Sequence, residues 1–479
     1  MSTRRVKDPV HGYIELDEEL VERVVDTRTF QRLRHVRQLS ATYLVYPGAT
    51  HTRFEHSLGV YHLATTVFES LRSQSYFRDG VGEAELDDIQ RTLACAALLH
   101  DVGHTPLSHV GERHLDAAAL RDRLAALGLA ERFERVGVAP EGDSGWEHPY
   151  PIRTAAPHEL LSCVVVLERF AEPLCAMDVD PFEVCAQVLG WSLAYEAGGR
   201  WQHGVAAQLL HSPVDVDRLD YIIRDDRMTG ADVLGVDTDR MLAAYTAHPD
   251  AGLALSEQAL STVGNYLEGR VSLYMWVTQH HKSVYANVLV GRLLDELAAA
   301  EDDPLFPVDG VVDGWLTDHT AMERLRRAAA DPPTEAFAAL YDRFRSRDFA
   351  ESCWKHRLGY ADVIAPETNE GVVAYSEWLV GDADRLEAVL TEALVVPSHE
   401  VWIERSYVPE YEPEELADIP LAHNGRVQPL SDHGLYGGRE FDRSVPFVYV
   451  PAGHVDRAVD VLNDRYVAEV GVGVPTAGR

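Results

Sequence analysis

An apolar helical segment that ends in a His-Asp pair places the strongest constraint on this fold. Residues 86–100 finish in the run AALLH, whose small and aliphatic side chains predict a helix buried on most sides. His100 and Asp101 stand at its end, and Gly103 just beyond favours a helix stop. An ionised Asp beside a His is costly to bury unless a metal ion or another partner compensates it. Because an imidazole and a carboxylate can together bind one divalent cation, the segment points to metal-dependent hydrolysis.

Helical patterns dominate the first 300 residues. Apolar positions recur at three-residue spacing from Phe30 to Leu39. Further helices are predicted over residues 54–71, 86–100, 158–170, 181–194 and 263–300. Residues 111–157 are less regular, with a helical patch at 114–134 that precedes a loop rich in Gly and Pro.

The C-terminal part differs from the first 300 residues in its residue composition. The runs VVAYSEWLV, EVWIERSYVPEY and RSVPFVYVP are rich in β-branched and aromatic residues and predict short strands. Helices are predicted over 382–393 and 455–467. We therefore expect a mainly α fold with three regions. They are a helical bundle core over residues 1–300 with an insertion at about 111–157, a helical connecting region over 301–365, and a smaller α+β unit over 366–479.

Acidic residues outnumber basic ones so strongly that the formal net charge is −34. Only Lys7, Lys282 and Lys355 are lysines, and the other basic residues are Arg. This composition resembles that of proteins from salt-accumulating halophiles. At molar salt the Debye length is about 3 Å, so the repulsion between the acidic side chains is screened. An acidic protein from a mesophile is the alternative. In both cases the charge argues against a broad nucleic-acid-binding face, so nucleic acid is not an expected partner.

The sequence predicts a cytoplasmic protein. No run approaches the roughly 20 apolar residues that cross a bilayer, and the N-terminal MSTRRVKDPVHG lacks the apolar core of a secretory signal. The five Cys form no CxxC pair and no even disulfide framework. We therefore expect neither a membrane partner nor an oxidising compartment.

Three separate segments supply four candidate metal ligands. They are His56 in TRFEHSLG, the pair His100 and Asp101, and Asp217 in VDVDRLDYIIRD. Taken singly, such residues are more often ordinary hydrogen-bonding groups. Two imidazoles and two carboxylates on the helices of a bundle suit one octahedral or distorted site with open positions. The expected cofactor is a divalent ion, with Mn, Mg, Fe and Zn left open.

With these segments in this order, the chain resembles the HD-domain phosphohydrolases, in particular their deoxynucleoside triphosphate triphosphohydrolase branch. The matching segments cover residues 4 to 300 and extend more loosely beyond. They are DPVHGYIELD, DTRTFQRLRHVRQL, VYPGATHTRFEHSLGVYHLA, LLHDVGHTPLSH, PHELL and DVDRLDYIIRD. The resemblance implies an HD-domain helical core, and it implies hydrolysis of a dNTP to the deoxynucleoside and inorganic triphosphate. The alternatives are a phosphatase or phosphodiesterase acting on another nucleotide, and a nucleotide sensor with little turnover.

The resemblance also implies roles for individual residues. The metal ligands fall on His56, His100, Asp101 and Asp217, and the catalytic residues fall on His104, His109, His158 and Glu159. His158 and Glu159 would form a pair in which the carboxylate orients the imidazole. Ordinary hydrogen bonding at a helix end is the alternative for His104 and His109.

A nucleotide pocket follows from the same resemblance. Its substrate-binding residues fall on Gln38, Leu39, Arg53, Arg218, Tyr221, Asp225 and Arg270. Leu39 and Tyr221 suit the apolar core as well, and Asp225 suits a salt bridge. An aromatic contact typical of the family falls near Thr278, where Tyr274 is the aromatic residue one turn earlier.

Regulation by a guanine nucleotide is a further implication of the resemblance. Asp26, Gln31 and Arg34 match guanine-reading positions of an allosteric site between subunits, which implies a homo-oligomer, a dimer or a tetramer. The alternative is an exposed helix face with an Asp cap.

Overall fold

Helices account for most of this chain, as the sequence predicts. The computed structural model describes residues 2–138, 149–364, 369–406, 419–423, 426–430 and 445–470. The helices of the N-terminal half are Glu18–Leu20, Arg28–Gln31, Arg53–Arg72, Glu83–Leu99, His109–Glu112, Ala117–Ala126, Leu129–Arg135, Tyr150–Thr154, Pro157–Val165, Ala171–Cys175, Pro181–Val188, Leu193–Glu196, Trp201–Leu210, Val216–Thr229 and Thr238–Ala244. Those that follow are Leu260–Leu273, His281–Ala300, Val308–Val312, Asp318–Ala328, Glu335–Ser346, Arg357–Val363, Asn369–Gly381, Ala383–Leu394 and Val455–Val470. Short 3₁₀ turns lie at Arg32–His35, Thr42–Leu44, Glu257–Ala259 and Ser398–Glu400, and π-helical turns at Val21–Val25, Val166–Phe170 and Tyr274–Thr278.

Three small sheets accompany the helices. Strands Thr3–Asp8 and Gly12–Asp17 form an antiparallel hairpin. A second sheet has the order Tyr245–His248, Gly252–Ser256, Pro420–His423 and Arg426–Pro429, and its middle pair is parallel. The third is antiparallel, with strand Phe447–Val450 between Glu351–Ser352 and Trp402–Glu404. The second sheet joins residues of the predicted core to residues of the predicted C-terminal unit.

Local sequence explains the helices that carry the site. Helix Arg53–Arg72 follows Thr52, whose backbone N–H donates to the Glu55 carboxylate at 2.9 Å. Asp215 caps helix Val216–Thr229 by accepting from the backbone N–H of Arg218 at 2.7 Å. Helix Glu83–Leu99 buries its last seven residues completely or nearly so, as its apolar run predicts. Both neighbouring helices pack against Arg53–Arg72, so the ends of three helices meet.

Two predicted elements differ from the structure. The run VVAYSEWLV forms part of helix Asn369–Gly381 and not a strand. Its buried residues are Val372, Tyr375 and Leu379, and this three- and four-residue spacing matches a helix despite the β-branched composition. The single helix predicted over 263–300 is divided into two helices by the π-helical turn Tyr274–Thr278.

The other C-terminal predictions are confirmed where the structure describes them. Strands Trp402–Glu404 and Phe447–Val450 lie within their predicted runs, whose residues 407–411 and 443–444 fall outside the described part. None of the described helices combines the length and the apolar character that a membrane crossing requires.

Candidate metal centre and catalytic pocket

Side chains from the ends of three helices converge on one point. The Nε2 atoms of His56 and His100 lie 3.3 Å apart. Asp217 Oδ1 lies 2.9 Å from His56 Nε2 and 3.6 Å from His100 Nε2. The Asp101 carboxylate approaches the same two nitrogens to 3.5 and 3.6 Å. The structure therefore brings together all four residues that the sequence offers as metal ligands, and their ligand role stays a prediction.

In their neutral forms, both imidazoles direct a lone pair towards this point. His100 Nδ1 lies 2.8 Å from the carbonyl oxygen of Ala97, which can only accept, so Nδ1 carries the proton and Nε2 the lone pair. His56 Nδ1 lies 2.8 Å from Asp220 Oδ2. A carboxylate or a carbonyl behind the second nitrogen is the usual support of a metal-ligating His. Facing nitrogens flanked by two carboxylates form a donor set that fits a divalent cation.

Asp220 is a supporting residue that the sequence did not single out. It is completely buried and accepts from Arg224 at 2.9 and 3.0 Å, and His11 Nε2 lies 2.6 Å from its Oδ1. Arg224 also donates to Asp8 at 2.9 Å. This chain of charges fixes the orientation of His56. The available signal was the position of Asp220, one helical turn after Asp217 on the same face.

The electrostatics of the centre favour a bound positive charge. Burial opposes charge on His56, but hydrogen bonds to Asp217 and Asp220 raise its pKa to about 10. Burial also opposes charge on Asp217, yet His100 and His56 hold the pKa of this carboxyl well below its usual range. The carboxylates therefore attract either a proton on the imidazole or a metal ion at the shared point.

A second group of imidazoles surrounds Glu112, and we call His104, His109, Glu112 and His158 the Glu112 cluster. Glu112 Oε1 lies 2.8 Å from His109 Nδ1, 3.1 Å from His158 Nδ1 and 3.3 Å from His104 Nδ1. The rings of His104 and His158 stack with centroids 4.2 Å apart. Although burial opposes the charge, these three imidazoles hold the pKa of the Glu112 carboxyl far below its ordinary value.

The carboxylate partner of His158 is therefore Glu112, and the predicted pair with Glu159 is corrected. Glu159 lies in the first turn of helix Pro157–Val165, where its carboxylate accepts from the backbone N–H of Ala156 at 2.7 Å. This position caps the helix and directs the carboxylate towards the backbone. Glu112 was missed, although its position three residues after His109 puts both on one face of a helical turn.

The loop that carries His104 and His109 holds a strained backbone conformation. Leu107 and Ser108 have φ values of +63° and +47°, where side-chain-bearing residues pay a steric cost. The buried Asp318 accepts from the backbone N–H of Leu107 at 2.7 Å and from that of Arg37 at 3.1 Å. Ser108 Oγ donates to the carbonyl oxygen of Arg37 at 2.8 Å. Asp318 thus fixes the loop from a distant part of the chain, and no local signal pointed to it.

A cavity of about 460 Å³ adjoins the metal centre and the Glu112 cluster. Its walls include these predicted substrate, catalytic and metal residues: Gln38, Leu39, Arg53, Asp101, His104, His109, His158, Asp217, Tyr221 and Asp225. Gln38 is 7% exposed, and its Oε1 has no hydrogen-bond partner among the residues that the structure describes. Arg53 donates to Asp101 at 2.7 Å and to Ser108 Oγ at 3.0 Å. The volume suits a ligand of nucleotide size.

Two predicted substrate contacts lie outside this wall. Arg218 lies 3.0 Å from the Asp215 carboxylate and also donates to the carbonyl of Ser212. The Arg270 guanidinium lies 5.9 Å from the ring centre of Tyr274. Their roles as phosphate contacts stay predictions.

An aromatic pair forms one side of the cavity. The hydroxyl oxygens of Tyr221 and Tyr274 lie 3.3 Å apart, and both residues line the cavity together with Thr278. The π-helical turn Tyr274–Thr278 places the aromatic ring one turn before Thr278. Asp225, on the wall beside them, lies 2.7 Å from His51 Nε2. His51 was not singled out from the sequence.

The three residues with an implied allosteric role engage the chain itself. Asp26 accepts from Arg4 at 2.8 Å. Gln31 donates to the carbonyl oxygen of Val25 at 2.8 Å, and Arg34 donates to Gln31 Oε1 at 2.7 Å. The Arg34 guanidinium also lies 3.5 Å from the ring centre of Phe54.

Comparison with known proteins agrees with this geometry. The family model of the HD domain matches residues 53–139, the segment that holds three of the four candidate ligands and most of the Glu112 cluster. The chain therefore contains an HD domain. Over 106 residues it is 49% identical to the deoxynucleoside triphosphate triphosphohydrolase SAMHD1 of Gallus gallus, a match that covers 22% of this chain and 16% of SAMHD1.

Two longer matches are to an uncharacterized protein and to a hypothetical protein. The chain is 28% identical over 448 residues to the uncharacterized protein YwfO of Bacillus subtilis, which covers 89% of this chain and 86% of YwfO. A crystal structure of a hypothetical protein from Aquifex aeolicus superposes with a TM-score of 0.64 at 21% identity, covering 96% of this chain and all of that one. The fold is therefore shared along nearly the whole chain, whereas the matches to SAMHD1 proteins cover 22 to 46% of it.

Proposed function

We propose that this protein is a metal-dependent phosphohydrolase that cleaves dNTPs into the deoxynucleoside and inorganic triphosphate. One observation carries the proposal: the metal centre, through Asp101 and Asp217, and the Glu112 cluster, through its three imidazoles, line one nucleotide-sized cavity. A shared wall lets both groups act on the same phosphate. The identity with SAMHD1 over 106 residues supports the choice of a dNTP.

The mechanism assigns a separate task to each group. His56, His100, Asp101 and Asp217 would hold a divalent ion, which when bound would supply Lewis-acid polarisation of a phosphate oxygen and activation of water. Arg53, fixed by Asp101 and Ser108, adds a positive charge at the cavity wall. His109 Nε2 lies 3.4 Å from the Arg53 guanidinium, so both side chains face the same region.

The buried imidazoles of His158 and His104 are the groups that transfer protons. Burial opposes charge on His158, but Glu112 beside it raises the His158 pKa, which favours the protonated ring. A cationic imidazole on the cavity wall suits protonation of the leaving 5′-oxygen. Burial and the nearby Arg53 lower the pKa of His104 to about 4, which leaves this ring neutral and able to accept a proton.

The aromatic side of the cavity selects deoxyribose over ribose. A ring packed under a deoxyribose excludes a 2′-hydroxyl by steric clash. Tyr221 and Tyr274 present such a surface, and the Asp225 carboxylate beside them suits the 3′-hydroxyl. The unpartnered Gln38 Oε1 offers an acceptor to the same sugar or to the base.

Regulation is part of the same proposal. A guanine nucleotide at Asp26, Gln31 and Arg34 would release Asp26 from Arg4 and activate a homo-oligomer, a dimer or a tetramer. Turnover and molecular mass measured with and without GTP or dGTP test this part. Unchanged turnover and mass at saturating nucleotide refute it.

The decisive experiment resolves the products. The chain is incubated with each of the four dNTPs and four NTPs, with Mn²⁺, Mg²⁺, Fe²⁺ or Zn²⁺, at low and at molar salt, and the products are separated by chromatography. Intact triphosphate together with a deoxynucleoside is the expected result. Release of orthophosphate or diphosphate indicates a different phosphohydrolase, and no turnover with any nucleotide favours a sensor.

A matched pair of variants checks the centre. Asp217→Ala is expected to lose bound metal and turnover together, because it removes the carboxylate nearest His56 Nε2. Asp250→Ala is the control, since its side chain is 92% exposed on a surface turn. Full metal content in Asp217→Ala contradicts the ligand assignment.

A further inference from the structure

We propose that Ser40 is a nucleotide-binding residue whose hydroxyl, together with Gln38 Oε1, forms hydrogen bonds with the Watson–Crick edge of the base. Both residues line the cavity beside the metal centre. Ser40 was not singled out from the sequence. The inference rests on the proposed function, because it takes the ligand of this cavity to be a dNTP.

Ser40 holds a backbone conformation that usually belongs to glycine. Its φ is +48°, and it is the second residue of a turn in which the backbone N–H of Thr42 donates to the carbonyl oxygen of Leu39 at 2.9 Å. Gly, Asn and Asp dominate such a position, because a Cβ atom makes a positive φ costly. A strained serine on the wall of a cavity points to a task for its hydroxyl group.

Contacts that do not involve the Ser40 side chain fix this turn. The backbone N–H of Ala41 donates to Asn287 Oδ1 at 3.0 Å. The backbone N–H of Gln38 donates to the carbonyl oxygen of His51 at 3.1 Å. The Ser40 hydroxyl is therefore held in place by its surroundings without being used to build them.

Two polar atoms of this wall lack a hydrogen-bond partner among the residues that the structure describes. They are Gln38 Oε1 and Ser40 Oγ, and both residues are more than nine-tenths buried. Buried polar groups without partners are rare and costly. A ligand that fills the cavity and supplies the missing hydrogen bonds removes this cost.

The base is the part of the nucleotide that remains for this wall. In the proposed function, the metal centre and Arg53 meet the phosphates, whereas Tyr221, Tyr274 and Asp225 meet the deoxyribose. The turn that carries Ser40 is a separate segment of the cavity wall. It is therefore free to contact the base.

The two atoms complement a pattern that all four bases share. The Gln38 oxygen can only accept a hydrogen bond, whereas the Ser40 hydroxyl can also donate one. Each base carries a donor next to an acceptor on its Watson–Crick edge: the amino group and N1 in adenine, for example, or N1–H and O6 in guanine. We therefore expect the base donor to pair with Gln38 and the base acceptor with Ser40, with no strong preference among the four dNTPs.

The test compares dATP with two analogues that each lack one of these groups. In 1-deaza-dATP a C–H replaces the acceptor N1, and 2′-deoxynebularine triphosphate lacks the amino group. Each Kd is measured by equilibrium dialysis with the full chain stripped of metal, and chromatography checks that the nucleotide stays intact. The native chain is expected to bind dATP about tenfold more tightly than either analogue, the effect of one hydrogen bond.

Ser40→Gly separates a binding role from a structural one. Glycine accepts the positive φ without strain, so this variant is expected to fold with a Tm no lower than that of the native chain. Its preference for dATP over 1-deaza-dATP is expected to disappear, while its preference over 2′-deoxynebularine triphosphate stays. Val395→Gly is the matched control and keeps both preferences, because Val395 also has a positive φ, +57°, but is 89% exposed at a helix end.

Two outcomes overturn the inference: equal Kd values of the native chain for dATP and 1-deaza-dATP, or a preference for dATP over 1-deaza-dATP that survives in Ser40→Gly. Turnover with Mn²⁺ distinguishes this failure from failure of the proposed function. A chain that releases triphosphate from dATP without either preference refutes the role of Ser40 alone. A chain that shows both preferences without releasing triphosphate refutes the proposed reaction alone, and a chain that binds none of the three nucleotides refutes both.

Discussion

Gly59 lies where the helix Arg53–Arg72 touches the charged network behind the metal centre. A Cβ atom added at this position would stand 1.9 Å from Asp220 Oδ1 and 2.5 Å from an Arg224 guanidinium nitrogen. Both distances are far inside van der Waals contact. Gly59→Ala therefore forces Asp220 away from its present place, and Asp220 is the residue that holds His56 Nδ1 at 2.8 Å.

Two opposing effects set the size of the change in stability. Ala in a helix interior is favoured over Gly by about 1 kcal/mol. Breaking a buried charged pair costs about 3–5 kcal/mol, and Asp220 is completely buried against Arg224. We expect a net loss of roughly 2–4 kcal/mol in the free energy of unfolding. Metal affinity is expected to fall by about 10–100-fold, because the support of a ligand is lost.

The assay combines urea unfolding with metal titration. Gly204→Ala is the matched control: Gly204 also lies inside a helix, Trp201–Leu210, but its added Cβ would meet only the Tyr195 ring at 3.4 Å, an ordinary contact. This control is expected to be neutral or stabilising. A Gly59→Ala protein with native stability and native metal affinity refutes the reasoning, because it shows that Asp220 does not hold the centre.

Three further predictions concern the loop, the sugar and the response to pH. Asp318→Asn leaves the backbone N–H of either Leu107 or Arg37 without an acceptor, so the free energy of unfolding is expected to fall by about 1–3 kcal/mol. Because the loop that carries His104 and His109 is then less well fixed, kcat is expected to fall by a larger factor than KM rises. Urea unfolding and steady-state kinetics measure these effects, and an unchanged kcat contradicts the prediction. Tyr221→Ala is expected to reduce the preference for dNTPs over NTPs, measured as the ratio of kcat/KM values, and an unchanged ratio removes the steric role. Burial, together with the neighbouring His280 and positive charges, lowers the pKa of His281 from 6.5 to about 3. Between these two pH values the unfolded chain binds a proton on His281 that the folded chain does not bind, so the free energy of unfolding falls as the pH drops from 6.5 towards 3. In urea unfolding, His281→Gln is expected to reduce the dependence of this free energy on pH. An equal pH dependence in both proteins contradicts the assignment.

The convergence of the four candidate ligands was predictable because each stands in a short motif on or next to a strongly patterned helix. The apolar run before His100 indicates a buried helix end, and the structure buries it as expected. His56 and Asp217 stand near the starts of two other helices, so packing of three helix ends brings all of them together. Local pattern and helix packing are sufficient for this part of the site.

Other parts depend on contacts that one sequence does not reveal. Asp318 holds Leu107 across 211 residues, and His11 reaches Asp220 across 209. Neither pair has a spacing that any local rule could detect. The composition of the run VVAYSEWLV predicts a strand, whereas burial of one face of the helix Asn369–Gly381 favours the observed helix.

The contrast between Glu112 and Glu159 shows what decides the partner of a catalytic imidazole. Glu159 is adjacent to His158 in sequence, but successive residues on a helix point in different directions, and a carboxylate in a first turn is drawn to the free backbone N–H groups. Glu159 accordingly caps its own helix through Ala156. Glu112 lies 46 positions before His158 in sequence, yet one helical turn after His109 it faces three imidazoles. Direction along the helix, and not adjacency in sequence, therefore determines which carboxylate can orient His158, and Glu112→Gln is expected to shift the pH profile of turnover more than Glu159→Gln does.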